Sequence, residues 1–226
     1  MPSAAASGPS RPALRLVVMI SGAGSNLLAI DSACRDGQVN GEVVGVISDR
    51  PAAAGLARAA ARGIITAAVP IEPGESRDQH DERLLDAVLA FKPDLVLLAG
   101  YMRILSSRFV ASLEGKLLNI HPSLLPRHKG LHTHRRVLEA GEREHGATVH
   151  YVTADLDGGP SVLQARLTVR EDDDERTLAA RVQACEHVIY PTVVGWVAAG
   201  RLTWANGVPT LDGRKLDASV VQDFDV

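Results

Sequence analysis

Cysteine is scarce: Cys34 and Cys185 are the only two in 226 residues, far apart and in no CxxC pattern. This excludes a disulfide framework, and because each lies in a segment that reads as helix, both are expected to be reduced packing residues. Long apolar runs are also missing. Charged, glycine or proline positions break every stretch before the roughly eighteen residues a membrane span requires, so no membrane association is expected. The first residues, MPSAAASGPSRP, hold no apolar core of signal-peptide length and a single basic residue, Arg11. Residues 1–13 are therefore read as a flexible extension and the protein as cytoplasmic. Nor is there a basic excess. With 24 basic against 27 acidic residues and a formal net charge of -3, the chain has no field with which to grip a nucleic-acid backbone, and small-molecule chemistry is the better expectation. Internal repeats and Gly/Ser-rich linkers are absent as well.

What is present is a 46% hydrophobic content, enough for a full core, arranged as short β-branched runs alternating with longer helical ones. LRLVVMIS, VVGVISD, IITAAVP, DLVLLAG and KLLNIHP read as strands, most of them apolar at nearly every position, as strands covered on both faces are. Between them lie a helix from about Asn26 to Asp36, the Ala-rich GLARAAARG stopped by Gly63, and DQHDERLLDAVLAFKP, whose Leu84, Leu85, Val88 and Leu89 recur at helical spacing. YMRILSSRFVASL reads as a loop and short helix, HTHRRVLEAG as helix, ATVHYVT and VLQARLTV as strands. ERTLAARVQACEHVIYPTVVGWVAAG reads as a long helix that Pro191 kinks or interrupts. Asn206-Gly207 and Asp212-Gly213 predict a small hairpin near the end. The pattern implies a single α/β domain over residues 14–226: a mostly parallel, Rossmann-like open sheet flanked by helices, with a mixed or antiparallel C-terminal extension.

In such sheets ligands gather at the carboxyl ends of the strands, and four segments there carry unusual residues. Ser21-Gly22-Ala23-Gly24-Ser25-Asn26 is either an anion-binding turn opening a helix or an ordinary turn capped by Ser25 or Asn26. It is neither GxGxxG nor a P-loop. Tyr101-Met102-Arg103-Ile104-Leu105 forms either a slot for a flat ring, with Arg103 facing an anion, or core. Asn119 and His121, two apart in a strand, share a face and suit an oxyanion, although a histidine before proline is often only structural. Asp157, followed by two glycines, either reaches His121 to move a proton or is a turn aspartate. His128, His132 and His134 lack the spacing of a zinc site, and no metal is expected. The acidic run 171–175 reads as a solvated loop before a helix.

Taken in order, ISGAGSN, LAGYMRIL, LLNIHPSLLP, GLHTH, EHGATVHYVT, LDGGP and EHVIYP resemble the phosphoribosylglycinamide formyltransferases, over about Leu14 to Leu216. The resemblance implies the formyltransferase fold, with a nucleotide-binding half over about 14–115, a folate and catalytic half over about 116–216, and a tail to 226. It implies formyl transfer from 10-formyltetrahydrofolate to the amine of glycinamide ribonucleotide, in purine biosynthesis, without a metal, by a monomer or homodimer. By the same resemblance Asn119, His121 and Asp157 are catalytic. Gly24, Ser25 and Asn26 hold the ribonucleotide, chiefly its phosphate, with Gln183 and Glu186 from the long helix, Glu186 facing the ribose hydroxyls or the amine. Met102, Arg103, Ile104 and Leu105 border the folate, Thr153, Ala154, Asp155, Leu156 and Asp157 surround its pteridine together with Asn119, and Arg77 lies near its glutamate tail. Tyr101 stands where many members carry phenylalanine, and the loop 127–130 varies among them.

Three other readings differ in testable ways. A methionyl-tRNA formyltransferase is expected to carry a further C-terminal barrel and a basic surface, and a formyltetrahydrofolate deformylase an N-terminal regulatory domain. A nonenzymatic nucleotide-binding module would use the Gly24 turn and leave His121 and Asp157 as structural polar residues.

Overall fold

A computed structural model describes residues 11–225. Eight strands form one sheet: β1 (Leu14–Ile20), β2 (Gly41–Ser48), β3 (Thr66–Ala68), β4 (Leu95–Leu98), β5 (Leu117–His121), β6 (Glu144–Tyr151), β7 (Ser161–Thr168) and β11 (Val220–Phe224). Their order is β11-β7-β6-β5-β4-β1-β2-β3. Neighbours from β3 to β5 are parallel, β6 is antiparallel to both of its neighbours, and β11 returns parallel to β7.

Alternation along β1 shows how the sheet is covered. Leu16, Val18 and Ile20 face one side and pack with Leu27 and Ile30 of α1 (Ser25–Arg35) and Ile189 and Val193 of α6 (Glu175–Ala198). Val17 and Met19 face the other side and meet Leu84 and Val88 of α3 (Arg77–Ala90) and Phe109 of α4 (Ser107–Ser112). All five of these β1 residues are fully buried, which is why the strand reads as a continuous apolar run. Helices α2 (Ala54–Ala61) and α5 (Thr133–Glu139) complete the set. The two longer helices start on reciprocal capping boxes, Ser76 with Gln79 and Asp174 with Thr177.

Three expectations need correction. α6 is not interrupted at Pro191, since it runs unbroken from Glu175 to Ala198. Its buried face through Tyr190, Pro191, Val193 and Val194 holds the helix together across the hydrogen bond that proline removes. The expected hairpin is a three-stranded antiparallel sheet of β8 (Leu202–Ala205), β9 (Val208–Leu211) and β10 (Arg214–Lys215). The tail then adds β11 as an edge of the main sheet, a strand the sequence reading did not assign. The acidic run is also less solvated than read, because Asp173 is nearly buried against Arg181. Both cysteines are free. Of the extension read as flexible, residues 1–10 lie outside the described residues, while the Arg11 carbonyl accepts a bond from Asn40 Nδ2 at 2.9 Å. Among the described residues no helix is long and apolar enough to cross a membrane.

Candidate active site

The strand order reverses direction between β1 and β4, which sets the loops after the two strands side by side at the sheet's carboxyl edge. The glycine turn after β1 and the segment after β4 are tied together at this point. Ser21 donates its backbone N–H to the Gly100 carbonyl at 3.1 Å. Its hydroxyl accepts from the Met102 N–H at 2.9 Å and donates to Asp49 Oδ1 at 2.6 Å.

In the glycine turn, Gly24 is the residue preceding α1 and adopts φ 74°, a conformation that favours glycine. Neither Ser25 nor Asn26 caps the helix: no side chain does, and its first turn carries no acidic residue. The first-turn N–H groups and the positive end of the helix dipole are thus left for an external acceptor. Both side chains are instead engaged with α6. Asn26 Nδ2 donates to Glu186 Oε2 at 2.8 Å, and Gln183 Nε2 donates to Ser25 Oγ at 3.1 Å. Burial pushes the Glu186 carboxyl up to about 7, against the opposing effect of the Asn26 bond. Asn26 Oδ1 is buried without a hydrogen-bond partner among the described residues.

Asn119, His121 and Asp157 converge. His121 Nδ1 lies 3.5 Å from Asp157 Oδ2, with both side chains less than a tenth exposed. Asp157 Oδ2 also accepts the Gly130 N–H at 2.9 Å. The loop reaches this far because Gly159 lies so close to the Tyr151 carbonyl that a Cβ there would overlap it. Asp157 itself sits at φ 47°, a region that aspartate tolerates better than most residues. His121 Nε2 faces the His128 carbonyl at 3.0 Å. A carbonyl only accepts, so this nitrogen carries a proton, and presenting that proton to another oxygen requires exchange of the His128 bond.

A fourth group, which sequence reasoning missed, completes the cluster. His150 stands directly opposite Asn119 in the antiparallel β5–β6 register. Its Nδ1 lies 2.9 Å from the Tyr151 carbonyl and its Nε2 lies 3.0 Å from Asn119 Nδ2. Burial holds the ring's pKa down at about 4, so it is neutral: Nδ1–H donates and the Nε2 lone pair accepts from the amide. This fixes which end of the Asn119 amide faces inward and leaves its second N–H for a ligand. Nothing in the ATVHYVT run distinguishes His150 until its partner strand is known.

Two adjoining cavities meet at these residues. The larger, about 490 Å³, is lined by Met102, Ile104, Asn119, His121, Leu131 and Asp157 among others. The smaller, about 90 Å³, lies among Leu105, Asn119, His150, Thr153, Ala154 and Asp157. Met102, Ile104, Leu131 and Leu156 are exposed by 52% to 68%, an apolar rim around a polar centre. Arg103 lines both cavities, and its buried Nε has no hydrogen-bond partner among the described residues; burial pushes the neighbouring Tyr101 phenol up, against the opposing effect of the Arg103 guanidinium. Asp155 is exposed and lines neither cavity; its carbonyl accepts from the Gly158 N–H at 3.0 Å. Arg77 lines neither cavity. Its guanidinium donates to the Leu105 carbonyl at 2.7 Å and so braces the loop from behind.

The three histidines weighed as a metal cluster, His128, His132 and His134, go separate ways. His128 Nε2 meets Glu142 at 2.7 Å, His132 precedes α5 at φ 59°, and His134 Nδ1 meets buried His145 Nε2 at 3.0 Å. Among the described residues, no group of three or more His, Cys, Asp or Glu is placed to hold a metal ion.

Residues 14–194 match the model of the formyl transferase family. The chain is 49% identical over 203 residues to a phosphoribosylglycinamide formyltransferase of Escherichia coli, covering 90% of this chain and 96% of that protein. The solved structure of a phosphoribosylglycinamide formyltransferase from Coxiella burnetii superposes with a TM-score of 0.87 at 46% identity, over 92% of this chain and 99% of that one. A formyltetrahydrofolate deformylase from Pseudomonas putida has a TM-score of 0.80 at 28% identity, with 91% of this chain covering 72% of it.

Proposed function

The chain belongs to the formyl transferase family, and from that premise we propose that it transfers the formyl group of 10-formyltetrahydrofolate to the amine of glycinamide ribonucleotide. The products are formylglycinamide ribonucleotide and tetrahydrofolate, in de novo purine biosynthesis. The observation that carries the reading is the 3.5 Å approach of Asp157 to His121 on the wall of a cavity that Asn119 also lines. The identity of the relatives supplies the substrates.

In this reading Gly24, Ser25 and Asn26 hold the phosphate, and Gln183 and Glu186 meet the ribose or the amine. The apolar rim of Met102, Ile104 and Leu156 receives the folate ring, with Arg103 and Leu105 beside it and Thr153, Ala154, Asp155 and Asp157 around the pteridine. Arg77 sits toward the glutamate tail with one guanidinium nitrogen committed to Leu105. Segments 14–115 and 116–216 both contribute to both ligands, since Met102 belongs to the first and Glu186 to the second. Folate supplies an activated formyl carbon. As the amine attacks it, charge develops on the formyl oxygen and the free N–H of Asn119 meets that charge. His121 adds a second donor on releasing the His128 carbonyl. Asp157, directly or through water, passes the proton from the attacking to the departing nitrogen. No metal takes part in this scheme. The protein acts in the cytoplasm, as a monomer or homodimer, on small molecules alone.

The test measures binding of glycinamide ribonucleotide and of a folate analogue separately, then formyl transfer with ribonucleotide, free amines and water competing as acceptors. Formylated ribonucleotide as the main product supports the proposal. Formate as the main product indicates a deformylase, and binding of nucleotide without transfer indicates a binding module.

A further inference from the structure

A phosphate monoester carries close to two negative charges near neutral pH, yet the turn assigned to it, Gly24 to Asn26, offers only backbone N–H groups and neutral side chains. The adjoining helix supplies what the turn lacks. Gly55, in the first turn of α2, donates its N–H to the Gly22 carbonyl at 3.0 Å. A Cβ at Gly55 would crowd Ile20, and would lie 3.0 Å from that carbonyl and 3.2 Å from Gly24 Cα, so α2 lies flush against the turn. Three residues on, and therefore on the same face of the helix, Arg58 extends over the turn and donates from its NH1 group to the Ala23 carbonyl at 3.1 Å. Among the described residues no carboxylate pairs with this guanidinium, which retains its remaining donors.

We propose that Arg58 is a binding residue for the ribonucleotide phosphate: its guanidinium, seated by Gly55 and steered by the Ala23 carbonyl, supplies the positive charge beside the Gly24 to Asn26 turn. The inference rests on the proposed acceptor being a ribonucleotide and adds a residue to that site. A planar guanidinium with several N–H groups matches phosphate oxygens in pairs, and its tether to the turn limits the side-chain entropy lost on binding.

The experiment compares wild type, Arg58→Ala, Arg58→Gln and Arg58→Lys on glycinamide ribonucleotide and on the corresponding riboside, which lacks the phosphate. Glutamine keeps an N–H for the Ala23 carbonyl and removes the charge. The expected result is a KM for ribonucleotide raised roughly ten- to a hundredfold in both the Ala and Gln variants, less in the Lys variant, with kcat and the folate KM held within about twofold. KM for the riboside should be the same in all four proteins. The proposal is overturned if the Gln variant matches wild type, which would make Arg58 a buttress of the turn. It is equally overturned if the riboside loses as much as the ribonucleotide. Failure of the wild type itself to formylate the ribonucleotide would remove the functional reading instead, a separate result.

Discussion

Replacing His150 by alanine removes the acceptor that holds the Asn119 amide at 3.0 Å and leaves the amide free to turn its oxygen toward the substrate. The consequence is set by two limits. Losing Asn119 altogether forfeits an oxyanion donor, about 3 kcal/mol of transition-state stabilisation or a hundredfold or more in rate. Losing only its orientation forfeits about 1 to 1.5 kcal/mol, the usual net worth of one such bond, which is roughly five- to tenfold in kcat. His150→Ala should therefore lower kcat by that smaller factor with both KM values nearly unchanged. His150→Gln, which offers an acceptor oxygen, should recover part of the loss. Because His150 is only 2% exposed, truncation also costs stability, on the order of 2 kcal/mol, so kcat is measured well below the melting temperature by the absorbance change of folate deformylation. The decisive protein is the double variant. If His150 acts through Asn119, then Asn119→Ala with His150→Ala turns over no more slowly than Asn119→Ala alone. A further five- to tenfold loss in the double variant would refute the positioning argument.

Other consequences follow from the same geometry. Glu186, at about 7 when folded against an ordinary value near 4.3, binds more protons folded than unfolded in between. Its contribution to stability is thus present below about 4.3 and lost as pH rises through 7. Glu186→Gln should melt higher than wild type at pH 8, by up to about 3 kcal/mol of stability, with the gap closing toward pH 5; an equal gap at both pH values contradicts this. His145 and His150, held down to about 3 and about 4 by burial, act with the opposite sign, and stability from them falls as pH drops below about 6.5. In the His150→Gln protein, the decline seen by denaturant titration between pH 6 and pH 4.5 should be shallower than in wild type. Gly159→Ala should displace the Asp157 loop from Tyr151 and lower kcat at least tenfold while thermal melting remains cooperative; wild-type kcat would show that the close approach is unnecessary. His121→Ala should retain binding of both ligands by calorimetry and lose roughly a hundredfold in turnover.

Much of the sheet was legible because β1, β2, β4 and β5 are largely buried on both faces and therefore read as mostly apolar runs leading into unusual residues. The helices themselves were legible from spacing such as that of Leu84, Leu85, Val88 and Leu89. What sequence could not supply was pairing. His150 matters because it is the cross-strand partner of Asn119, and register between β5 and β6 is fixed by tertiary packing. The same holds for Arg77, whose side chain is drawn to a backbone carbonyl in the next loop, and for Arg58, whose position depends on how closely Gly55 lets α2 approach. β11 escaped notice because its edge position leaves Val220 and Val221 partly exposed, without the apolar density of the inner strands. Pro191 does not interrupt α6 because the helix's local proline penalty is outweighed by its buried face.

If Asp157 moves a proton while other residues bind the ligands, single-turnover formyl transfer by Asp157→Asn reveals it. Measured with both substrates saturating and both dissociation constants determined on the same protein, the rate should fall at least about a hundredfold, with each ligand's affinity within about threefold of wild type. A near-normal rate, or a loss accounted for by weakened binding, would show that Asp157 does not move the proton.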